Sequence, residues 1–170
     1  MSKVWVRADD HFGHHNVLKY CQRPWTNTDQ MDRALVDRHN AMVDPADTVY
    51  FLGDVTMAGA EKLQWLRKII CKMNGNKHLI FGNHDKMGHE RYLDAGFLSC
   101  HTSLEIVHGG QEIVLVHDPC VAQDPSRLWL CGHLHNVAFM APTHICVVSV
   151  ELTDYRPVDL DAIVAGWRPK

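Results

Sequence analysis

The sequence predicts an α/β fold in which two sheets pack face to face with helices outside. Three observations carry that reading. Short apolar runs alternate with helical patterns through the first half of the chain, and hairpin signals dominate the second. Most telling, five of the apolar runs end in side chains able to hold a metal ion.

The runs VWV at 4–6, TVYFL at 48–52, LIF at 79–81, IVLV at 113–116 and LWLC at 128–131 read as buried strands, and HICVVSVEL at 144–152 as a further one. Residues 28–43 read as a helix: Met31, Leu35 and Met42 fall near one face, and Asn27 with Gln30 resembles a capping box. A second helix over 60–72 turns Leu63, Leu66, Ile69 and Ile70 to the core. HGGQ at 108–111 is a hairpin turn between EIV and EIVLV, and LDAIVAGW after Pro157 makes a short closing helix. No repeat, low-complexity tract or linker interrupts this order, so residues 1–170 are expected to form a single domain.

At 46% apolar and 22% charged, 170 residues suffice for a full core, and the composition is that of a globular rather than a disordered chain. A formal net charge of −3 argues against a protein that grips long nucleic acid through a basic surface. No apolar stretch approaches the length of a membrane span. The six cysteines are scattered singly and MSKVWVRADD lacks an apolar h-region. Free thiols and a cytoplasmic location are therefore expected.

The chemistry lies at the carboxyl end of each strand. VWVRA ends in Asp9 and His11, TVYFLG in Asp54, LIFG in Asn83, His84 and Asp85, IVLV in His117, and LWLCG in His133 and His135. In open α/β sheets that edge is where ligands bind. A single strand-ending His or Asp is ordinarily a cap or turn residue. Five in one chain point to a shared metal site of imidazole, carboxylate and amide donors. A glycine precedes Asp54, Asn83 and His133, allowing a sharp turn there.

Other signatures are absent. His89-Glu90 begins like HExxH, but position 93 is Leu; Pro119-Cys120 lacks the second cysteine of PCxxC; there is no P-loop, GxGxxG or GxSxG.

Taken in order, D-x-H (Asp9, His11), G-D (Gly53, Asp54), G-N-H-D (Gly82 to Asp85), the isolated His117 and G-H-x-H (Gly132 to His135) resemble the calcineurin-like metallophosphoesterases. DxHFGHxN from Asp9 to Asn16 and the late VELTDYRPV resemble their small single-domain bacterial and phage branch. The resemblance implies a four-layer α-β-β-α sandwich, two mixed sheets flanked by helices, with a dinuclear metal centre at one edge. Asp9, His11, Asp54 and His135 would hold one ion and Asp54, Asn83, His117 and His133 the other, with Asp54 bridging. The ions would be manganese first, with iron, zinc or nickel as alternatives.

The implied reaction is hydrolysis of a phosphate ester by in-line attack of a metal-bridging hydroxide. His84 would stabilise charge or protonate the leaving oxygen, with Asp85 orienting it, and His14 would reach the substrate. The expected partner is a small phosphodiester such as a cyclic nucleotide, with no stable binding of nucleic-acid polymer and no membrane. A phosphomonoesterase, a nuclease acting on nucleic-acid ends and a non-catalytic protein-binding scaffold are the alternatives.

Three other features complete this reading. The basic run Lys62, Arg67, Lys68, Lys72 and Lys77 is expected to be a solvated helix face, and Arg23-Pro24-Trp25 either a rim or a packed turn. Val147 stands where the branch resemblance leads one to expect Asn.

Overall fold

Apolar alternation along β1 (Val4–Arg7) decides the architecture: Trp5 faces one core and Val6 another. The same split divides Phe51 from Leu52 in and after β2 (Thr48–Phe51), and Leu79 from Ile80 in β3 (Asn76–Ile80). A strand buried on both faces needs a layer on each side. The computed structural model, which describes residues 2–140 and 142–167, supplies both.

The first sheet has the order β4-β3-β2-β1-β9, with β4 at Ser99–His101 and β9 at Val158–Asp159. Strands β1 to β4 run parallel and β9 antiparallel to β1. The second sheet has the order β5-β6-β7-β8, spanning Leu104–His108, Gln111–Leu115, Leu128–Cys131 and Ile145–Val147. Its β5–β6 hairpin is antiparallel, turning through Gly109 and Gly110 at φ 56° and 80° as HGGQ predicts, and the other pairs are parallel.

The outer face of the first sheet packs on α1 (His15–Tyr20), α2 (Thr28–Asn40), α3 (Leu63–Ile70) and α4 (His89–Ala95) through Met31, Leu35, Leu66, Ile70 and Tyr92. Between the sheets lie Val6, Leu52, Ile80, Ile113, Leu115, Leu128 and Leu130, and α5 (Leu160–Gly166) inserts Leu160 among them. The predicted two-sheet sandwich with flanking helices is what forms.

Several boundaries differ from expectation. The first long helix ends at Asn40 rather than 43, though Asn27 caps it by accepting from the Gln30 amide at 2.9 Å. The second begins as a 3-10 turn at Ala60–Lys62. The strand expected over 144–152 stops at Val147, because the chain then crosses between sheets: the Val148 amide bonds Cys131 O while Ala8 bonds Val148 O and the Val150 amide. Val147 itself packs on Val114, Val116 and Cys131, so its role is apolar. Of the basic run, Lys62, Arg67, Lys68 and Lys72 are exposed, but Lys77 is buried and donates to Met73 O and Gly75 O. All six cysteines are free thiols. Among the described residues no helix is long and apolar enough to cross a membrane.

Candidate metal centre

Parallel order puts the carboxyl ends of β1, β2 and β3 at one edge, and β6 and β7 bring theirs to the same place. Two donor groups assemble there. Asp9, His11 and His135 offer ligand atoms within 4.8 Å of one another, and so do Asp54, His117 and His133. Asn83 joins the second group: its Oδ1 lies 3.1 Å from both His117 Nε2 and His133 Nδ1, which are themselves 3.2 Å apart.

Asp54 links the groups. Its Oδ1 accepts the His84 amide at 2.9 Å, while Oδ2 stands 3.4 Å from His117 Nε2 and 3.5 Å from His11 Nε2. The seven sequence-predicted residues therefore fall into two adjoining groups, and Asp54 faces a histidine of each.

The backbone is bent to achieve this. Asp9, His11, Asp54, His133 and His135 all adopt positive φ, from 46° to 69°. Such conformations cost roughly 1–3 kcal/mol each and cluster at functional sites. The preceding glycines serve two different needs. Gly53 takes φ 87°, the sharp turn expected, whereas Gly82 has an ordinary φ and is required for space: a Cβ there would collide with Asp54 Oδ1.

Buried partners fix the donors. His117 Nδ1 donates to Leu52 O at 2.8 Å, which turns Nε2 toward Asp54, where a bound cation would take the place of its proton. Asp9 accepts Ser149 Oγ at 2.6 Å and the His133 amide at 3.0 Å. Arg23 donates to Asp9 O and Asp10 O at 2.6 and 2.7 Å, and its Nε and Nη2 reach Glu151 Oε1 at 2.9 and 2.5 Å. His135 Nδ1 lies 3.1 Å from that same oxygen. Arg23-Pro24-Trp25 is thus a packed turn, with Trp25 edge-on to Tyr155 at 4.5 Å. Nothing in the strand-end pattern marks Arg23, Ser149 or Glu151 as part of the site; Glu151 enters the sequence reading only within VELTDYRPV, as a sign of resemblance. Asp10, outside the predicted ligand set, pairs inward with Arg7.

His84 stands on the rim, its Nε2 4.0 Å from Asp54 Oδ2. Asp85 does not orient it. The Asp85 carboxylate accepts the amides of Asp54, Val55 and Gly82 at 2.8, 3.0 and 2.9 Å and the Tyr92 hydroxyl at 3.2 Å. Its neighbour in sequence lies on the other side of the loop, so Asp85 is a buried loop clamp. The His14 ring sits 5.3 Å from that of His11, beside the site, while His15 is exposed at the start of α1.

The electrostatics are those of a cation site. Burial pushes His11 down to about 3, so both ring nitrogens are uncharged, and neither has a hydrogen-bond partner although the residue is only 3% exposed. Burial opposes charge on Asp54, but His117 and the His84 amide outweigh it and hold the carboxyl at about 2. Burial likewise opposes charge on His117, yet Asp54 and Asp9 raise it to about 9. Orphaned His11 nitrogens and the convergence of Asn83 Oδ1, His117 Nε2 and His133 Nδ1 are what divalent cations would satisfy, displacing the His117 proton. The residues fit two ions, one at each group.

Comparisons extend the picture. No family model matches the chain. It is 33% identical to the uncharacterized protein MJ1445 of Methanocaldococcus jannaschii, over 96% of this chain and 90% of that one. It is 37% identical to the gene 66 protein of Mycobacterium phage D29 over 58% of this chain, about half (48%) of the phage protein. The crystal structure of the Aquifex aeolicus protein of unknown function AQ665 superposes with a TM-score of 0.75 at 24% identity, covering 97% and 99% of the two chains, which shows the same fold.

Proposed function

From the premise that this chain belongs to the calcineurin-like metallophosphoesterases, we propose that it hydrolyses a small phosphodiester, such as a cyclic nucleotide, at a centre of two divalent cations. The observation that carries this reading is the position of Asp54 Oδ2, 3.4 Å from a nitrogen of one donor group and 3.5 Å from a nitrogen of the other. Two cations held that close repel, and a shared carboxylate between them offsets the repulsion.

Asp9, His11, Asp54 and His135 would hold one ion, and Asp54, Asn83, His117 and His133 the other. Once bound, such ions polarise phosphoryl oxygens and make water nucleophilic near neutral pH, with manganese, iron, zinc and nickel all suited to oxygen and nitrogen donors. The chain's own residues supply the rest. Neutral imidazoles keep the total ligand charge low. The Leu52 carbonyl and the brace of Ser149, Arg23 and Glu151 hold the donors in place. In the net reaction a water oxygen bonds to phosphorus, the ester P–O bond breaks, and the proton released reaches the departing oxygen. His84, on the rim facing Asp54, is placed to deliver it or to stabilise the phosphoryl oxygens.

The test is a panel of manganese, iron, zinc and nickel against bis-aryl phosphodiester, aryl monophosphate, and 2′,3′- and 3′,5′-cyclic nucleotides. Metal-dependent turnover of diesters above the monoester is expected. Preference for the monoester would overturn the diester assignment, and inactivity with two ions bound would overturn the enzyme.

A further inference from the structure

Beside the corner formed by Asn83, His117 and His133, a cleft of about 490 Å³ opens toward solvent. Phe81 follows β3, Thr102 and Ser103 connect the two sheets, and Val116 follows β6; with Asp118 and Val121 they form its walls. Its size falls in the range of small-molecule sites, roughly 300–1,000 Å³.

The wall chemistry is selective. Val116 is buried, Phe81 is half-buried and set edge-on to Tyr92 at 5.7 Å, and Val121 stands 53% exposed. Thr102 and Ser103 contribute hydroxyls that have no hydrogen-bond partner among the described residues. No Lys or Arg lines the cleft, and its one carboxylate is that of Asp118, whose Oδ1 accepts the Cys120 amide at 2.8 Å. Away from the metal corner, a second phosphate entering here would meet a carboxylate and no Lys or Arg, the side chains that ordinarily recognise phosphate. An aromatic ring with its own hydroxyls would meet an aromatic and aliphatic wall and two hydroxyls.

We infer that this cleft holds the uncharged, ring-bearing ester group of the substrate, a nucleoside in size and chemistry, and thereby selects single-phosphate diesters over oligonucleotides. The inference rests on the phosphoesterase reading above. It makes Phe81 and Val121 specificity-determining residues and leaves the reacting atoms to the metal corner.

The experiment compares two five-membered cyclic diesters that differ in the nucleoside, uridine 2′,3′-cyclic phosphate and glycerol 1,2-cyclic phosphate, followed by phosphorus NMR. One stacked base corresponds to about a 5- to 150-fold advantage in kcat/KM for the uridine ester. Val121→Asp, at an exposed position, is expected to reduce that ratio about tenfold, and Phe81→Leu to reduce it as well. Val121→Lys is expected to improve turnover of the uridine ester bearing a 5′-phosphate. Equal kcat/KM for the two esters, or a ratio unmoved by both Val121→Asp and Phe81→Leu, would overturn the cleft assignment. Saturation-transfer NMR on the metal-free protein separates the two readings: uracil protons should receive magnetisation from wild type and lose it in Val121→Asp. If neither ester turns over with two ions bound, the phosphoesterase reading falls. The uracil signal then still decides the cleft, its presence and loss in the variant upholding it and its absence from wild type overturning it.

Discussion

Glu151 Oε1 lies 3.1 Å from Nδ1 of His135, an ion-pair contact rather than an aligned hydrogen bond, and the same oxygen is held twice by Arg23. Burial opposes charge on Glu151, but His135 and Arg23 hold its carboxyl down at about 2. A carboxylate behind a ligating imidazole fixes the ring and raises its basicity, and losing it typically costs about 10–100-fold in metal affinity. Glu151→Gln should therefore weaken binding of the ion held by Asp9, His11 and His135 by about that factor. The ion held by Asn83, His117 and His133 should be spared. Calorimetric titration with manganese resolves the two steps. Equal weakening of both would reduce Glu151 to a general support of the fold.

Asp54 faces a histidine nitrogen of each donor group through one oxygen. Asp54→Ala should lower bound manganese from two ions per chain to one or fewer, by elemental analysis after loading. It should also cost more activity than His133→Ala, which removes a ligand from one side. Retention of two ions would show that the groups are independent.

The candidate ligands are legible in the sequence because each comes directly after an apolar run, and the edge of a parallel sheet gathers the residues at its strand ends. Contact at long range leaves no such mark. Ser149 reaches Asp9 across 140 residues and Arg23 reaches Glu151 across 128, with no periodicity linking either pair. Asp85 misleads for the opposite reason. Adjacency to His84 in sequence suggests adjacency of side chains, but the loop turns the carboxylate back onto three amides. The helix His89–Ala95 escapes pattern reading because only Tyr92 and Ala95 are buried in it, too few to make a period.

The Asp85 and His84 roles separate by experiment. Asp85→Ala strands three amide donors beneath the metal loop, and each buried unsatisfied donor costs about 1–3 kcal/mol. Loss of several kcal/mol should appear in urea unfolding. His84→Asn should leave stability and metal content near wild type while lowering kcat about 10²–10⁴-fold for diesters with alkoxide leaving groups, the range for a general acid. The loss should shrink for p-nitrophenolate, which departs without a proton. Equal losses on both leaving groups would assign His84 to charge stabilisation instead, and no loss would remove it from the mechanism.

His39 predicts how stability depends on pH. It is fully buried, with Nδ1 3.1 Å from Arg7 Nη1 and Nε2 2.9 Å from Asn74 O. Arg7 can only donate, so Nδ1 must accept and Nε2 must carry the proton: the ring is neutral in a fixed tautomer. A second proton would face the guanidinium. Burial, then Arg7, accordingly depress its pKa to about 3, against 6.5 for a free imidazole. Between those values the unfolded chain binds a proton that the folded chain refuses, so stability falls as pH drops below about 6.5 and is fully present above it. Each pH unit in that window removes up to about 1.4 kcal/mol. His39→Gln, which retains an acceptor and a donor but cannot titrate, should be less stable than wild type at pH 7 and lose less on acidification. Urea midpoints of the two proteins at pH 7 and pH 5 give the comparison. Parallel declines would place the acid sensitivity elsewhere than His39.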